Sequence, residues 1–192
     1  RADQREVLYG PLGVPRDTHG MQNAFRRGFD GWLYINHGFA NDSVITGRDG
    51  SSVKLQSGNT YRVRLDGSRV EQYTWGQVNP FGSTFLPDGD LITADCHSKP
   101  LTLLLRGAYY SSFGKPHDGL GFAPDLMSHD HGSTAICGVV QLTGDSFPEE
   151  FRGRLLVGNV MTSRVNQDLL SYTGSTPRAI EQQDFLSTDD PW

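Results

Sequence analysis

Three turns ending in glycine, each followed by a short apolar strand, constrain this chain more than any other feature. Trp32-Leu33-Tyr34-Ile35 follows Asp30-Gly31, Leu91-Ile92-Thr93 follows Asp88-Gly89, and Leu155-Leu156-Val157 follows Phe151-Arg152-Gly153. Between Tyr61 and His97 the same wording is dense. Tyr61 to Leu65 alternates large and polar residues, Asp66-Gly67 turns, and Val70 to Trp75 alternates again. Asn79-Pro80-Phe81-Gly82 interrupts the pattern, and Leu91 to Ala94 closes the unit. Antiparallel strands joined by Asp-Gly turns predict an all-β fold made of β-propeller blades. Unrelated hairpins in a β-sandwich are the alternative.

The turn glycines Gly31, Gly89 and Gly153 are 58 and 64 residues apart. A bare four-stranded blade takes roughly 40–45 residues, so these blades carry long loops, and loops on a rigid scaffold are where binding and catalysis sit. About three blades are expected, at approximately 1–57, 58–110 and 111–192. Three do not close a ring, which needs roughly 4–8. The chain therefore reads as a fragment of a longer protein, about half a ring. Arg1 to Leu8 reads as a strand already under way. Helical periodicity is nearly absent; Phe147 to Phe151 and Arg178 to Asp184 are the two stretches that suit a short helical turn.

Composition removes several function classes. The formal net charge over 192 residues is −5, and no strand or loop clusters Lys and Arg, which argues against a nucleic-acid partner. No run of 18 apolar residues suggests a membrane span. Cys96 and Cys137 are too far apart for a CxxC metal, redox or haem motif. They read either as two buried thiols or as a pair in an exported protein.

The six histidines carry more chemistry. His19, His37 and His97 fall near equivalent strand ends, which neighbouring blades of a propeller bring to one face. A histidine there suits a general base, because its ordinary pKa near 6.5 keeps it mostly neutral at pH 7. The bland alternative is that each satisfies a loop hydrogen bond. His117 lies in a loop from Phe113 to Pro124 that is rich in Gly and Pro. His129 and His131, at i and i+2, share one side of an extended strand and suit zinc or iron with a carboxylate, although the sequence offers no evident third ligand. Leu103 to Tyr110 reads as an apolar strand ending in two tyrosines, either core and rim or a stacking platform.

From Tyr73 to Leu91 the chain resembles the soluble quinoprotein glucose/sorbosone dehydrogenases. Asn79, Pro80, Gly82, Phe85, Pro87, Gly89 and Leu91 match their Gly-x-Arg-Asn-Pro-x-Gly-x-x-Phe-x-Pro-x-Gly-x-Leu pattern. The wording over nearly the whole chain is closer still to large planctomycete-type membrane-bound dehydrogenase propeller proteins: Asp17-Thr18-His19, Asp30-Gly31-Trp32-Leu33-Tyr34, Phe113 to Gly119, His131-Gly132-Ser133 and Ser187 to Trp192 all read so. The resemblance implies half of a six-bladed propeller in a periplasmic or extracellular protein. It implies an oxidoreductase acting on a sugar or polyol hydroxyl, with pyrroloquinoline quinone (PQQ) and calcium. His19 falls close to the catalytic histidine, one residue out of register. Asn79 matches a cofactor-side asparagine, and the backbone carbonyls of His97 and Ser98 fall where the calcium is bound. Val78 stands where the family has an arginine for the quinone carboxylates, and Phe81 where it has glutamine; valine cannot make that charge-assisted contact. A small sugar or polysaccharide is the implied partner, with a cytochrome c acceptor or a fused domain in look-alike proteins. The alternative is a non-catalytic propeller that binds carbohydrate or protein.

Overall fold

The computed structural model describes residues 3–13, 18–113, 121–133 and 135–190. The chain is all-β, in three antiparallel sheets plus one hairpin. The first sheet uses β1 (Asn23–Arg27), β2 (Trp32–His37), β5 (Asn59–Arg64) and β6 (Val70–Trp75), in the order β1-β2-β5-β6. The hairpin of β3 (Asp42–Thr46) and β4 (Ser52–Gln56) is inserted between β2 and β5. The second sheet is β7 (Asn79–Phe85), β8 (Leu91–Cys96) and β9 (Leu101–Leu104). The third is β10 (Ile136–Gln141), β11 (Arg154–Asn159), β12 (Arg164–Thr173) and β13 (Thr176–Glu181), with the short β14 (Leu186–Ser187) beside β12.

The three predicted turns are equivalent corners. Gly31, Gly89 and Gly153 have φ of 78°, 95° and 80°, a region glycine enters without steric penalty, and each leads into the second strand of its sheet. The first strands, β1, β7 and β10, lie together. Arg26 Nε donates to the Ser83 carbonyl (2.7 Å), Asn23 Nδ2 donates to the Pro80 carbonyl (3.0 Å), and β7 packs on β10. Stacked sheets whose first strands meet form a partial β-propeller, as the sequence predicts.

The sheet faces alternate between two cores. Trp32 and Tyr34 on the first sheet pack with Leu91 and Leu104 of the second, along with Tyr110. The other face of β8, Ile92 and Ala94, packs with Leu155 and Val157 of β11 and with Leu126 and Met127 of a connecting strap. Both alternations follow from the period-2 placement of side chains on a strand. Full burial of each large apolar side chain stabilises by about 1.5–3 kcal/mol, so these interfaces hold the sheets in register. On the far face of sheet one, Ile45 and Leu55 of the hairpin cover Ile35, Tyr61 and Val63.

Four sequence expectations need correction. The approximate boundary at 57/58 cuts through the first sheet, because β5 pairs with β2 from Asn59↔His37 to Arg64↔Trp32 and only the inserted hairpin separates them. Asn79 to Gly82 does not interrupt a blade; it opens the first strand of the second sheet, with an irregular register between Pro80 and Ser83. Proline is tolerated at such a strand start, where its missing N–H breaks no ladder bond. Arg178 to Asp184 is not helical, since Thr176–Glu181 alternates buried and exposed residues against β12. Residues 4–8 are irregular rather than a strand. Glu149–Phe151 does form one 3-10 turn.

Candidate functional site

The ends opposite the turn glycines form one rim. In register, Asn23 faces Asn36, Asn79 faces Cys96, and Ile136 faces Asn159. The starts of β1, β7 and β10 and the ends of β2, β8 and β11 therefore share this side. It receives the 3-10 turn Thr18–Gly20, Asn79, His97 and Ser98. The side chain of His19 and the whole of His117 lie outside the described residues.

Short connections tie the rim together. The Gly20 carbonyl accepts from Asn41 Nδ2 (2.9 Å), and Phe39 N donates to Asn79 Oδ1 (2.9 Å). The Phe39 ring meets Phe113 edge-on at 6.0 Å, and Phe113 lies 6.4 Å from the His97 ring. His97 is exposed and has φ of 77°, an uncommon conformation for a residue with a side chain. No hydrogen bond reaches the His97 or Ser98 carbonyl among the described residues.

Beneath this rim sits Asp95, fully buried. Its carboxylate accepts from Asn79 N (2.7 Å), Val78 N (3.1 Å) and the Ser98 hydroxyl. Burial pushes its pKa up to about 6, against the lowering effect of those donors. Asp95 thus fixes the start of β7 to the end of β8. Val78 is itself buried, and Phe81 is exposed on β7. A cavity of about 430 Å³ opens beside Asp95, lined by Gln77, Ser98, Lys99, Thr102 and Tyr110 with the 122–125 segment.

Other sequence candidates separate by burial. His37 is not a rim group: it is fully buried, with Nδ1 on the Ser57 carbonyl (2.8 Å) and Nε2 on Ser43 Oγ (2.9 Å), and it ties β2 to the hairpin. Strand β9 ends at Leu104, so Leu105 to Tyr110 is a turn and a return path beside β6. Tyr109 stacks on Trp75 at 5.1 Å, while the Tyr110 hydroxyl is spent on the Leu103 carbonyl and the Leu105 amide. Cys96 and Cys137 are free, half-buried thiols whose pKa values burial raises.

A second cluster lies between sheets two and three. His129 Nε2 is 2.8 Å from Asp168 Oδ1, and His131 Nε2 is 2.9 Å from Asp168 Oδ2. Asp168, on β12, is fully buried. Burial opposes protonation of His131, but the hydrogen bond and charge of Asp168, with Glu181 and Asp184 nearby, raise its pKa overall. Sequence reasoning missed Asp95 and Asp168. Asp95 was legible as a charge directly after the run Leu91 to Ala94; nothing local links Asp168 to histidines 37 and 39 residues earlier.

The family described as "Domain of unknown function (DUF7133)" matches residues 1–192. No curated protein sequence matches the chain. Among solved structures, a protein described as an oxidoreductase (glucose dehydrogenase) from Thermus thermophilus superposes with a TM-score of 0.64 at 19% identity, over 92% of this chain and 56% of that one. A structure described as glucose dehydrogenase gives 0.60 at 20% identity, over 85% and 53%. The soluble aldose sugar dehydrogenase from Escherichia coli, in its apo form, gives 0.54 at 17% identity, over 91% and 57%. This chain spans little more than half the length of these structures, and at such identities the likeness is one of fold.

Proposed function

The chain belongs to the DUF7133 family and has the fold of sugar-dehydrogenase propellers; from that premise we propose that it forms the substrate-facing half of an oxidoreductase acting on a sugar or polyol hydroxyl. The observation that carries the reading is the convergence of Thr18–Gly20, Asn79, His97 and Ser98 on one rim beside a cavity of about 430 Å³. The Ser98 and Thr102 hydroxyls and the Lys99 ammonium along this wall suit a polyhydroxylated ligand.

In this reading His19 accepts the proton of the reacting hydroxyl. Asn79 orients the ligand through its Nδ2, since its Oδ1 is held by Phe39 N. The His97 and Ser98 carbonyls suit a hard cation such as calcium, which when bound would supply a fixed positive charge beside the reacting oxygen. The residues at this corner do not fit the carboxylates of PQQ. The family's arginine is replaced by a buried valine, and the nearest carboxylate, Asp95, is of the wrong sign. No step is therefore drawn through a quinone; the hydride from the carbinol carbon passes to an added two-electron acceptor, the dye of the test below.

A non-catalytic propeller that binds carbohydrate or protein is the second reading, favoured by Val78 and by the exposed Phe81. The test uses the full-length protein with aldoses and polyols and an electron-accepting dye, with and without PQQ and Ca²⁺. Sugar-dependent dye reduction that His19→Ala abolishes is expected. Absence of reduction under every condition, with retardation in polysaccharide affinity gels that survives His19→Ala, overturns the first reading in favour of the second. No helix among the described residues is long and apolar enough to cross a membrane. A periplasmic or extracellular setting, with a cytochrome c or fused-domain acceptor, belongs to the same proposal.

A further inference from the structure

We infer that His129, His131 and Asp168 form a binding site for a divalent transition-metal ion of the zinc type.

Three observations converge. The first is the donor set. The two imidazole nitrogens and the carboxylate lie within 4.8 Å of one another, and they are drawn from two elements that the fold brings together. Zinc takes imidazole nitrogen at about 2.0–2.1 Å and carboxylate oxygen at about 2.0–2.2 Å, so ligand atoms around it stand roughly 3.3 Å apart. The nitrogen–oxygen separations of 2.8 and 2.9 Å need to open by a few tenths of an ångström, and the widest separation in the group, within 4.8 Å, to close around an ion.

The second is the burial of the carboxylate. Asp168 is fully buried, and its partners among the described residues are these two imidazoles; no Lys or Arg reaches it. A buried carboxylate needs a compensating positive charge, and a dication bound by both histidines supplies one.

The third is the orientation of His131. Its Nε2 faces Asp168, and its Nδ1 lies 3.7 Å from Glu181 Oε1. Its two ring nitrogens thus face two carboxylates, one inner and one outer. Binding the ion through Nε2 puts the proton on Nδ1, facing the Glu181 carboxylate 3.7 Å away. Outer carboxylates commonly orient metal-bound histidines this way.

The segment carrying the histidines is held independently. Lys99 Nζ donates to the Ser128 carbonyl (3.0 Å), Ala179 N to the Leu126 carbonyl (2.9 Å), and Asn159 Nδ2 to the His131 carbonyl (3.0 Å). The His129 side chain keeps 17% of its surface exposed, which leaves an approach and an open coordination position. An ion there would clamp the strap to sheet three.

The test is metal content and affinity of the purified full-length protein, by elemental analysis and zinc titration, with Co²⁺ as a spectroscopic substitute. One ion per chain is expected, with the visible absorption of nitrogen- and oxygen-ligated Co²⁺. His129→Ala, at the exposed edge, should keep the fold and weaken zinc at least tenfold, and Glu181→Gln should weaken it about tenfold. Asp168→Asn should abolish binding. A folded protein that takes up no zinc or cobalt overturns the inference. So does zinc binding that His129→Ala and His131→Ala leave unchanged. Neither outcome bears on dye reduction at the rim.

Discussion

Gly82 on β7 and Gly138 on β10 touch backbone to backbone: a Cβ built on Gly82 would lie 2.5 Å from the Gly138 Cα. The first strands of the second and third sheets approach closely because Gly82 carries no side chain at that point.

The two glycines are therefore not equivalent under mutation. Gly82→Ala meets backbone and also has φ of 119°, so it should cost about 3 kcal/mol or more from overpacking and strain together. Gly138→Ala finds open space and bears only the left-handed φ of 65°, so it should cost about 1 kcal/mol. Urea unfolding of the two variants checks the difference. Equal losses would mean that the strands do not meet here.

Arg62 is nearly buried, lies over the Trp32 ring at 4.3 Å, and donates to Glu71 (2.7 Å) and Asp30 (3.0 Å). Burial would raise the Glu71 pKa, but hydrogen bonds from Arg62 and Arg69 and the charges of Arg62 and Arg106 outweigh it and lower it. A lowered carboxylate pKa adds stability above the unfolded value, and that stability is lost as pH falls through the folded one. Glu71→Gln should thus cost about 1–3 kcal/mol at pH 7, toward the lower end because water reaches Glu71. Its deficit relative to wild type should shrink at pH 3. A deficit that is independent of pH would assign the effect to packing.

Asp95→Ala should free the Val78 and Asn79 amides that now donate to the carboxylate. Leaving buried donors unsatisfied costs about 1–3 kcal/mol each. Hydrogen exchange at these two amides should rise well beyond the change seen elsewhere in β7. Protection that stays unchanged would show that another acceptor holds them.

Val78→Arg restores the residue of the resembled sugar dehydrogenases, yet it should not create quinone binding. Val78 is buried, and an unpaired guanidinium there should destabilise by about 3–5 kcal/mol. Thermal unfolding, together with quenching of PQQ fluorescence, reads both effects. A stable variant that binds PQQ would mean that the side chain reaches the rim.

The strands and turn glycines were legible because period-2 alternation and Asp-Gly chemistry are local. The blade boundary was not, since β5 returns to β2 across an inserted hairpin and the pairing is set at long range. His37 shows the same limit. Its position after Gly31 suggested a rim, but Ser43 and Ser57, brought in by the hairpin, bury it. His129 and His131 were readable as a pair of ligands. Asp168 became their partner only through the register that sets β12 between β11 and β13.

The link from Gly38 to Asn41 belongs to no strand, yet it bonds to the Gly20 carbonyl on one side and to Asn79 on the other. It acts as a gauge that sets the span between the turn bearing His19 and the mouth of the second sheet. Lengthening it by a single residue would re-aim that turn while every ladder stayed intact. Proteins built on these same sheets can therefore diverge in what they accept by editing four residues that belong to no strand.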